Sequence, residues 1–481
     1  MHISHKYLSL SRNFHGPGVA SGASGAKSGA SCPRDSRDYP CTPPRLVGKY
    51  QKEPGAQLAA ATAGKPELRA IRSGGPPVLS GRRAQHDADP PMKKCPLILL
   101  VLLIGLCPAC QQDPSPARLQ QVLTASWQSY CRHFLQSDGR LNLPEEGGGT
   151  ISEAQAYALL RAVWANDAAV FARVYAWTYQ NLSRVRTHGD SLLAWRWGER
   201  PDGSWGVLDA NSAADADLDY ALALALADKK GWRAPPGLPG YREEARRVQA
   251  AILAKEVVAL PDGELLLTPG NWHEPAPSYL VNPSYFSPAA YRIFPGHLNA
   301  PAGAAWERLH HSTYLWLGRL GHGLGRTRGI GLFPDWCRVD AAGRVEPAPG
   351  KDTRFGWEAV RIPFRVALDA LWFGEPEAAS LMGDMFLPFF QQQWRTHGRL
   401  AAVYNYDGTP AVDYESPVLY AGVLAGALAV GDRDFAREMA KKILSFYHED
   451  GGRAYFEAPD HYYANNWAWL GLALYAGWVK P

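Results

Sequence analysis

The first 126 residues contain no tryptophan, although the chain of 481 residues has 17. Residues 1–91 are instead rich in glycine, alanine, serine, proline and arginine, as in GVASGASGAKSGAS and SGGPPVLSGRRAQHDADPP. Such a composition cannot bury enough apolar surface to offset the entropy that is lost on ordering. We therefore predict that residues 1–91 are disordered, or are an extension upstream of a true start at Met92.

The apolar run from Pro96 to Leu106 is too short for a comfortable membrane span. Two lysines precede this run, and small residues and a cysteine follow it, in MKKCPLILLVLLIGLCPACQQD. That layout is typical of a secretory signal. Residues 92–110 are predicted to be a signal peptide, and a long cytoplasmic tail on a single-span anchor is the alternative.

Cysteine is scarce after the leader. CPAC, which ends at Cys110, looks like a bacterial lipoprotein cleavage site, except that Cys107 replaces the usual aliphatic residue. If the site is used, Cys110 carries lipid and Gln111 favours the outer membrane; otherwise the protein is periplasmic or secreted. Only Cys131 and Cys337 remain beyond it. In an oxidising compartment they can form one disulfide, and buried free thiols are the equal alternative.

The chain has little excess charge of either sign, with 50 lysines and arginines against 46 aspartates and glutamates. No basic stripe accompanies the aromatic residues, which argues against nucleic-acid binding. The motifs G-x-S-x-G and H-E-x-x-H are absent, so a serine-hydrolase elbow and a zinc-protease helix are excluded. We predict no cofactor and no metal.

Strand signals are sparse, and GELLLTP and SWGVLD are the only candidates. Apolar residues instead recur at the helical period. They predict close to twelve helices, at about 116–136, 153–165, 167–183, 214–230, 240–257, 285–293, 302–320, 355–373, 375–395, 415–430, 433–447 and 463–478. Some, such as DYALALALA, are apolar almost all round and should lie between layers. Because no repeat of fixed period is visible, an all-α, closed (α/α)6 barrel with loops around a cleft at one end is favoured over a solenoid.

The segment GGGTISEAQAYALL delivers Glu153 to the start of an apolar helix. Thr150 and Glu153 fit a capping box, and Ser152 and Gln155 offer a second version one turn along. A glutamate near a helix N-terminus also gains from the helix dipole. The three glycines are expected to allow a tight turn and close approach of a ligand to the backbone.

Four aspartates crowd one loop-to-helix junction in VLDANSAADADLDYALALALA, namely Asp209, Asp215, Asp217 and Asp219. Helix capping needs fewer carboxylates than this. The junction lacks the glycine and the terminal glutamate of an EF-hand loop, which disfavours calcium. Carboxylates also accept hydrogen bonds from vicinal hydroxyls, so a polyhydroxylated ligand fits the cluster better.

In GWEAVRIPFR, Glu358 and Arg361 are one turn apart and can pair. Pro363 marks the first turn of the helix that follows. Aromatic side chains in probable loops are candidates to line a cleft, because flat rings stack on sugar faces; they are Trp195, Trp197, Trp272, Tyr285, Trp336, Tyr462 and Tyr463.

Together these segments resemble glycoside hydrolase family 8, the bacterial cellulase, xylanase and chitosanase family, from about Trp127 to Trp478. TISEAQAYALL is similar to the general-acid helix start of that family, VLDANSAADADLDYALALALA to its aspartate signature, and GWEAVRIPFR to its general-base segment. The resemblance implies that Glu153 is the general acid and that Asp215 binds the sugar at the cleavage point. It also implies the (α/α)6 fold and a set of cleft residues, namely Trp195, Trp357, Arg361 and Tyr462.

The sequence departs from the family pattern at the expected base. Ala214 and Tyr220 replace residues of the aspartate signature, and Glu358 stands where the family usually has aspartate. One extra methylene moves a carboxylate by about 1.5 Å, and a misplacement of about 1 Å can lower a rate on the order of a hundredfold. Asp335 and Asp352 are the local alternatives as the base.

The resemblance implies that residues 111–481 form a catalytic domain, an endo-acting β-1,4-glucan hydrolase that inverts configuration. A chitosanase, xylanase or mixed-linkage glucanase, or a catalytically weak glycan-binding lipoprotein, are the alternatives. The expected partner is a β-linked polysaccharide, and the protein is predicted to be an exported monomer. For Glu153 to hold a proton at neutral pH its pKa must rise, and the aspartate cluster is a candidate cause.

Overall fold

The computed structural model describes residues 113–274, 276–297 and 300–481. The predicted disordered extension, the predicted signal peptide and Cys110 therefore lie outside the described residues. Within the described ranges, no helix combines the length and the apolar character that crossing a bilayer requires.

Helices dominate the described part of the chain, as the periodicity predicts. They are α1 Pro116–Phe134, α2 Ser152–Trp164, α3 Ala168–Asn181, α4 Ala214–Lys229, α5 Tyr241–Lys255, α6 Pro288–Ile293, α7 Ala300–His322, α8 Ile362–Phe373, α9 Pro376–Ser380, α10 Leu387–His397, α11 Pro417–Ala429, α12 Arg433–Ser445 and α13 Tyr462–Tyr475. The helix predicted over 355–373 starts only at Ile362, after a 3-10 turn at Ala359–Arg361. A π-helical turn at Leu381–Phe386 divides the helix predicted over 375–395.

Six of these helices form a closed inner ring. In the order α2, α4, α6, α8, α11 and α13, each contacts the next, and α13 contacts α2. Each of α1, α3, α5, α7, α10 and α12 packs against at least one helix of this ring. The predicted all-α, (α/α)6 arrangement is thus confirmed.

Burial separates the two layers of helices. Every residue of α4 from Ala214 to Ala227 is buried, although three of them are aspartates. By contrast, α12 in the outer layer buries one stripe, spaced three or four residues apart, while its remaining face carries charge. The stripe is Phe435, Ala436, Met439, Ala440, Ile443 and Leu444. The inner helices therefore bring charged side chains, such as these aspartates, into the interior of the barrel.

The described residues also contain twelve short antiparallel strands, of which the sequence indicated only two, β3 and β5. They are β1 Thr150–Ile151, β2 Arg196–Glu199, β3 Trp205–Asp209, β4 Val257–Ala259, β5 Leu265–Leu267, β6 Ser278–Val281, β7 Gly323–Leu324, β8 Thr327–Arg328, β9 Cys337–Asp340, β10 Val345–Pro347, β11 Tyr447–Asp450 and β12 Arg453–Phe456. Two to five residues are too few to show a period of two. The prediction of only two strands was therefore wrong.

The sheet β1-β2-β3 fixes the chain at the start of α2. Thr150 pairs with Trp197, and the Ser152 amide donates to the Trp195 carbonyl at 2.9 Å. A Cβ on Gly149 would lie 2.5 Å from the Trp197 carbonyl oxygen. At Gly149 the protein's own strand pairing leaves no room for a side chain. The approach of a ligand to these glycines stays a prediction.

The two cysteines of the described chain are both free thiols, so the disulfide alternative is wrong. Cys337 is buried in β9 and Cys131 is half-buried in α1.

Candidate active site

One buried guanidinium group joins three carboxylates from distant parts of the chain. Arg361 is 1% exposed. Its Nη1 donates to Oε2 of Glu153 at 2.7 Å and to Oδ2 of Asp215 at 2.9 Å, and its Nη2 donates to Oε2 of Glu358. Burial alone would lower the pKa of Arg361. The surrounding acidic groups, Glu358 foremost, outweigh burial and raise that pKa well above its ordinary value. The guanidinium therefore stays charged.

The barrel accounts for this convergence. Glu153 lies in the first turn of α2, Asp215 in the first turn of α4, and Arg361 in the turn that leads into α8. Tyr462, the first residue of α13, donates a hydrogen bond to Oε1 of Glu153. The N-terminal ends of four inner helices thus meet at one end of the ring, where their dipoles favour anionic side chains.

The capping-box interpretation of Glu153 is wrong. Ile151 is the N-cap of α2, and no side chain caps this helix. Thr150 Oγ1 bonds to Oε1 of Gln155 at 3.4 Å, and the Gln155 amide reaches Thr178 at 2.9 Å. The side chains of Thr150 and Gln155 thus bond to each other and to the core. The Glu153 carboxylate does not cap the helix and instead faces Arg361.

Burial is the main cause of an unusual acidity at Glu153. It raises the pKa of that carboxyl to about 7, with further upward contributions from Asp215 and Glu358, while Arg361 and the hydrogen bond from Tyr462 act downward. The prediction that the aspartate cluster drives the shift is thus correct only for Asp215, and only as a secondary cause.

The other three aspartates of the cluster have separate partners. Asp219 forms a two-pronged pair with the Arg365 guanidinium at 2.7 and 2.8 Å. Asp217 accepts the Leu193 amide at 2.8 Å, and Asp209 accepts the Asn211 amide at 2.9 Å. The cluster is therefore four distinct contacts rather than one shared ligand site.

Glu358 is the most exposed of the three carboxylates on Arg361, with 29% of its side chain accessible. Asn282 Nδ2 donates to its Oε2 at 2.9 Å. Asn282 is itself held by Ser284, whose hydroxyl also accepts from Nε of Arg361 at 3.1 Å. Sequence reasoning missed Asn282 and Ser284, because it attended only to Tyr285 in the same NPSYFSP segment.

Neither local alternative as the base reaches this group of residues. Oδ1 of the buried Asp335 accepts the backbone amides of Gly356, Glu358 and Ala359, at 3.0, 3.1 and 2.7 Å. Asp352 pairs with Arg354, both through its side chain and as a turn cap. Asp335 therefore fixes the backbone that carries Glu358, and the carboxylate that faces Arg361 is Glu358.

Several of the predicted aromatic side chains surround the carboxylates. Trp195 and Trp357 are half-buried, and the Trp357 carbonyl accepts the Tyr463 hydroxyl at 2.5 Å. The Tyr285 ring lies 5.2 Å from the Arg361 guanidinium carbon. Tyr462 and Tyr463 begin α13, which corrects their expected placement in a loop.

Two of the expected cleft tryptophans have partners within the protein. Trp336 is 7% exposed and packs edge-on against Tyr285, with ring centroids 6.1 Å apart. Trp197 lies in β2 and packs edge-on against Trp177 at 5.2 Å. These two rings support the walls of the site instead of presenting an open face.

Within the described ranges, one set of side chains has the spacing of metal ligands, namely His310, Asp369 and Glu375. His310 Nε2 lies 2.7 Å from Asp369, and Arg292 Nη1 lies 2.6 Å from Glu375. The arginine already supplies the positive charge beside these carboxylates. Asp369 lies on α8, eight residues beyond Arg361 in sequence, so this set is separate from the carboxylates described above.

Replacing Asp335 by alanine should lower the free energy of unfolding by about 3 kcal/mol, because three backbone amides lose their acceptor in a buried place. Asp352→Ala, which removes a partly exposed pair, should cost no more than about 1 kcal/mol. Urea unfolding of both variants measures the difference. Equal losses would show that Asp335 does not organise the segment around Glu358.

The model of one protein family, Glycosyl hydrolases family 8, matches residues 115–467 of this chain. An endoglucanase of Pseudomonas fluorescens (strain SBW25) is 32% identical over 266 residues, which are 54% of this chain and 63% of the relative. The chain thus spans somewhat less than two thirds of that relative's length.

Solved structures show the same fold. An endo-1,4-D-glucanase from Vibrio fischeri ES114 superposes with a TM-score of 0.57 at 23% identity, covering 73% of this chain and 94% of that one. A beta-1,3-1,4-glucanase from Paenibacillus sp. X4 gives a TM-score of 0.62 at 20% identity, covering 76% and 93%. With the family match over most of its length, this chain belongs to glycosyl hydrolases family 8.

Proposed function

We propose that this protein is an endo-acting β-1,4-glucan hydrolase that inverts the anomeric configuration. The observation that carries the proposal is the buried Arg361, which gathers Glu153, Asp215 and Glu358 at one end of the barrel. Hydrolysis of a glycosidic bond requires one protonated carboxyl and one carboxylate at the same place. Family membership and the endoglucanase relative support the same chemistry.

Glu153 is proposed as the general acid. Its raised pKa of about 7 lets it hold a proton at neutral pH, as protonation of a leaving oxygen requires. It is also reachable, with 17% of its side chain exposed. In the reaction the Glu153 proton moves to the glycosidic oxygen as the bond to the anomeric carbon breaks.

Glu358 is proposed as the general base. Arg361 and Asn282 both hold its Oε2, and no described residue donates a hydrogen bond to its Oε1, so that oxygen is available to a water molecule. The water attacks the anomeric carbon from the face opposite the leaving oxygen and gives its proton to Glu358, which inverts the configuration. The two contacts at Oε2 set the position of the longer side chain that replaces the family's usual aspartate.

Asp215 is proposed to bind the sugar at the cleavage point from the floor of the site, and Arg361 to fix all three carboxylates. Asp215 is 2% exposed, so at most one edge of its carboxylate faces the cleft. We propose that Trp195, Trp357 and Tyr462 line the cleft on which the polymer lies, since rings beside carboxylates suit sugar faces and hydroxyls.

Lys351 is one feature near Glu358 that favours a neutral glucan over chitosan. The Lys351 ammonium lies 4.9 Å from the Trp336 ring, and its charge acts on Glu358. A cation here repels the ammonium groups of chitosan. The relatives are described as endoglucanases and one neighbour as a mixed-linkage glucanase, so mixed-linkage glucan is the second candidate substrate.

We further propose that residues 111–481 are the catalytic domain of an exported monomer, with Cys110 as a candidate lipid attachment site for the outer membrane. The order of lysines, apolar run and small residues before Cys110 supports export.

Replacing Glu153 by glutamine should lower the release of reducing ends from carboxymethylcellulose by at least about a hundredfold, because the amide has no proton to give. Thermal unfolding should be little changed. Glu438→Gln, on the exposed face of α12, is the matched control and should retain full activity. Activity retained by Glu153→Gln would reject the assignment of the acid. If the native protein binds oligosaccharides but cuts no polymer, the glycan-binding alternative is correct.

The pH profile provides a second test. Since Glu153 must be protonated to act, kcat/KM should fall as the pH rises through about 7. The Tyr462 hydrogen bond lowers the pKa of Glu153, so Tyr462→Phe should move the alkaline fall to higher pH. Tyr455→Phe, an exposed control far from Glu153 in sequence, should leave the profile unchanged. A shift of the Tyr462→Phe profile to lower pH would contradict the assignment.

A further inference from the structure

A second pair of carboxyls lies buried beside the site and is not used by the proposed reaction. Asp217 lies in the first turn of α4, and Glu256 directly follows the last turn of α5. Both residues are 0% exposed. Each carboxyl group acts on the pKa of the other.

The remaining contacts of the pair leave one oxygen of each carboxyl without a donor. Oδ1 of Asp217 accepts the Leu193 amide at 2.8 Å, and Oε1 of Glu256 accepts the Ser212 hydroxyl at 2.5 Å. No described residue donates to Oδ2 of Asp217 or to Oε2 of Glu256. Two adjacent buried oxygens of ionised carboxylates would repel each other, whereas one proton between them satisfies both.

The charged surroundings do not neutralise the pair. Asp215 adds a like charge near Glu256, and the Arg184 charge acts on both carboxyls. Arg184 is itself bound to Asp190 at 3.0 Å. The other titratable groups that sense the pair are the buried tyrosines Tyr220, on α4, and Tyr291, on α6. Burial, the largest cause, raises the pKa of Asp217 and of Glu256, which agrees with a retained proton.

The pair connects two segments that carry candidate cleft tryptophans. Leu193, held by Asp217, lies two residues before Trp195. Ser212, held by Glu256, accepts the Trp272 indole N–H on its carbonyl at 3.0 Å. The first turn of α4 lies between these two segments. We therefore expect that loss of the interaction between Asp217 and Glu256 would shift both tryptophans relative to the carboxylates that bind Arg361.

We propose that Asp217 and Glu256 share one proton as a carboxylic acid–carboxylate bridge, and that this bridge positions Trp195 and Trp272 to bind the polysaccharide. Both are positioning residues, since neither touches the reacting atoms. The inference rests on the proposed function only for the identity of the ligand.

Two substitutions of Glu256 show whether the hydrogen bonds of its side chain are needed to position the tryptophans. In Glu256→Gln, the side-chain carbonyl still accepts from Ser212 and the amide donates to Asp217 without an added proton. Glu256→Ala removes the carboxyl beside Asp217 and leaves the Ser212 hydroxyl with Asn271 alone. We expect Glu256→Gln to retain its affinity for cellohexaose within about twofold and Glu256→Ala to lose about tenfold or more. Calorimetry in the Glu153→Gln background measures the affinities without turnover. In an active background, the Glu256→Ala loss should appear mainly in KM.

The proton is tested by thermal unfolding as a function of pH. A carboxyl with a raised pKa in the folded state contributes stability at low pH that is lost as the pH rises through that value. Glu256→Gln has no such proton to lose, so its Tm should rise relative to that of the native protein between pH 5 and pH 9. Glu438→Gln should follow the native curve.

If the curves of Tm against pH for Glu256→Gln and the native protein are parallel, the two carboxyls do not share a proton. If Glu256→Gln and Glu256→Ala lose equal affinity for cellohexaose, the pair does not position the tryptophans. If Glu256→Ala does not fold, the pH curves of Glu256→Gln still decide the first point and its affinity the second. The Tm measurement needs no ligand. If the protein binds no glucan, the proposed function is disproved, but the shared proton can still be tested by Tm.

Discussion

The charge of Arg361 is the constraint on which the rest of the site depends. A fully buried guanidinium is stable only if anions and acceptors surround it closely. Here Glu153, Asp215 and Glu358 do so, together with the hydroxyls of Tyr157 and Ser284. One positive and three negative charges leave an excess of negative charge in a desolvated place. Burial, with further contributions from Asp215 and Glu358, raises the pKa of Glu153 to about 7.

The barrel makes this arrangement possible, because it brings the starts of inner helices to one place. Asp219 and Arg365, one turn further along α4 and α8, repeat the pairing of Asp215 and Arg361 deeper in the ring. A shift of either helix would break two buried ion pairs at once. The position of the carboxylates is therefore set by the packing of the helices, and the loops contribute the aromatic walls.

Patterns within short stretches of the sequence predicted the features that depend on neighbouring residues. Apolar periodicity located most helices, and spacing of one turn indicated the pair of Glu358 and Arg361. The contacts that orient the site join residues far apart in the chain, such as Arg361 with Glu153, 208 positions away, and Asn282 with Glu358, 76 positions away. No spacing rule indicates them. The capping box failed for the same reason, because tertiary partners took the side chains that it needed.

The roles of Glu153 and Glu358 can be tested by a crystal structure of Glu153→Gln with a bound cello-oligosaccharide. We expect the oligosaccharide to cross the ends of α2 and α8, with a glycosidic oxygen within hydrogen-bond distance of residue 153. One water should lie between Glu358 and the anomeric carbon, on the face opposite that oxygen. A sugar bound elsewhere on the barrel, or an anomeric carbon in direct contact with Glu358 and no space for water, would contradict these roles.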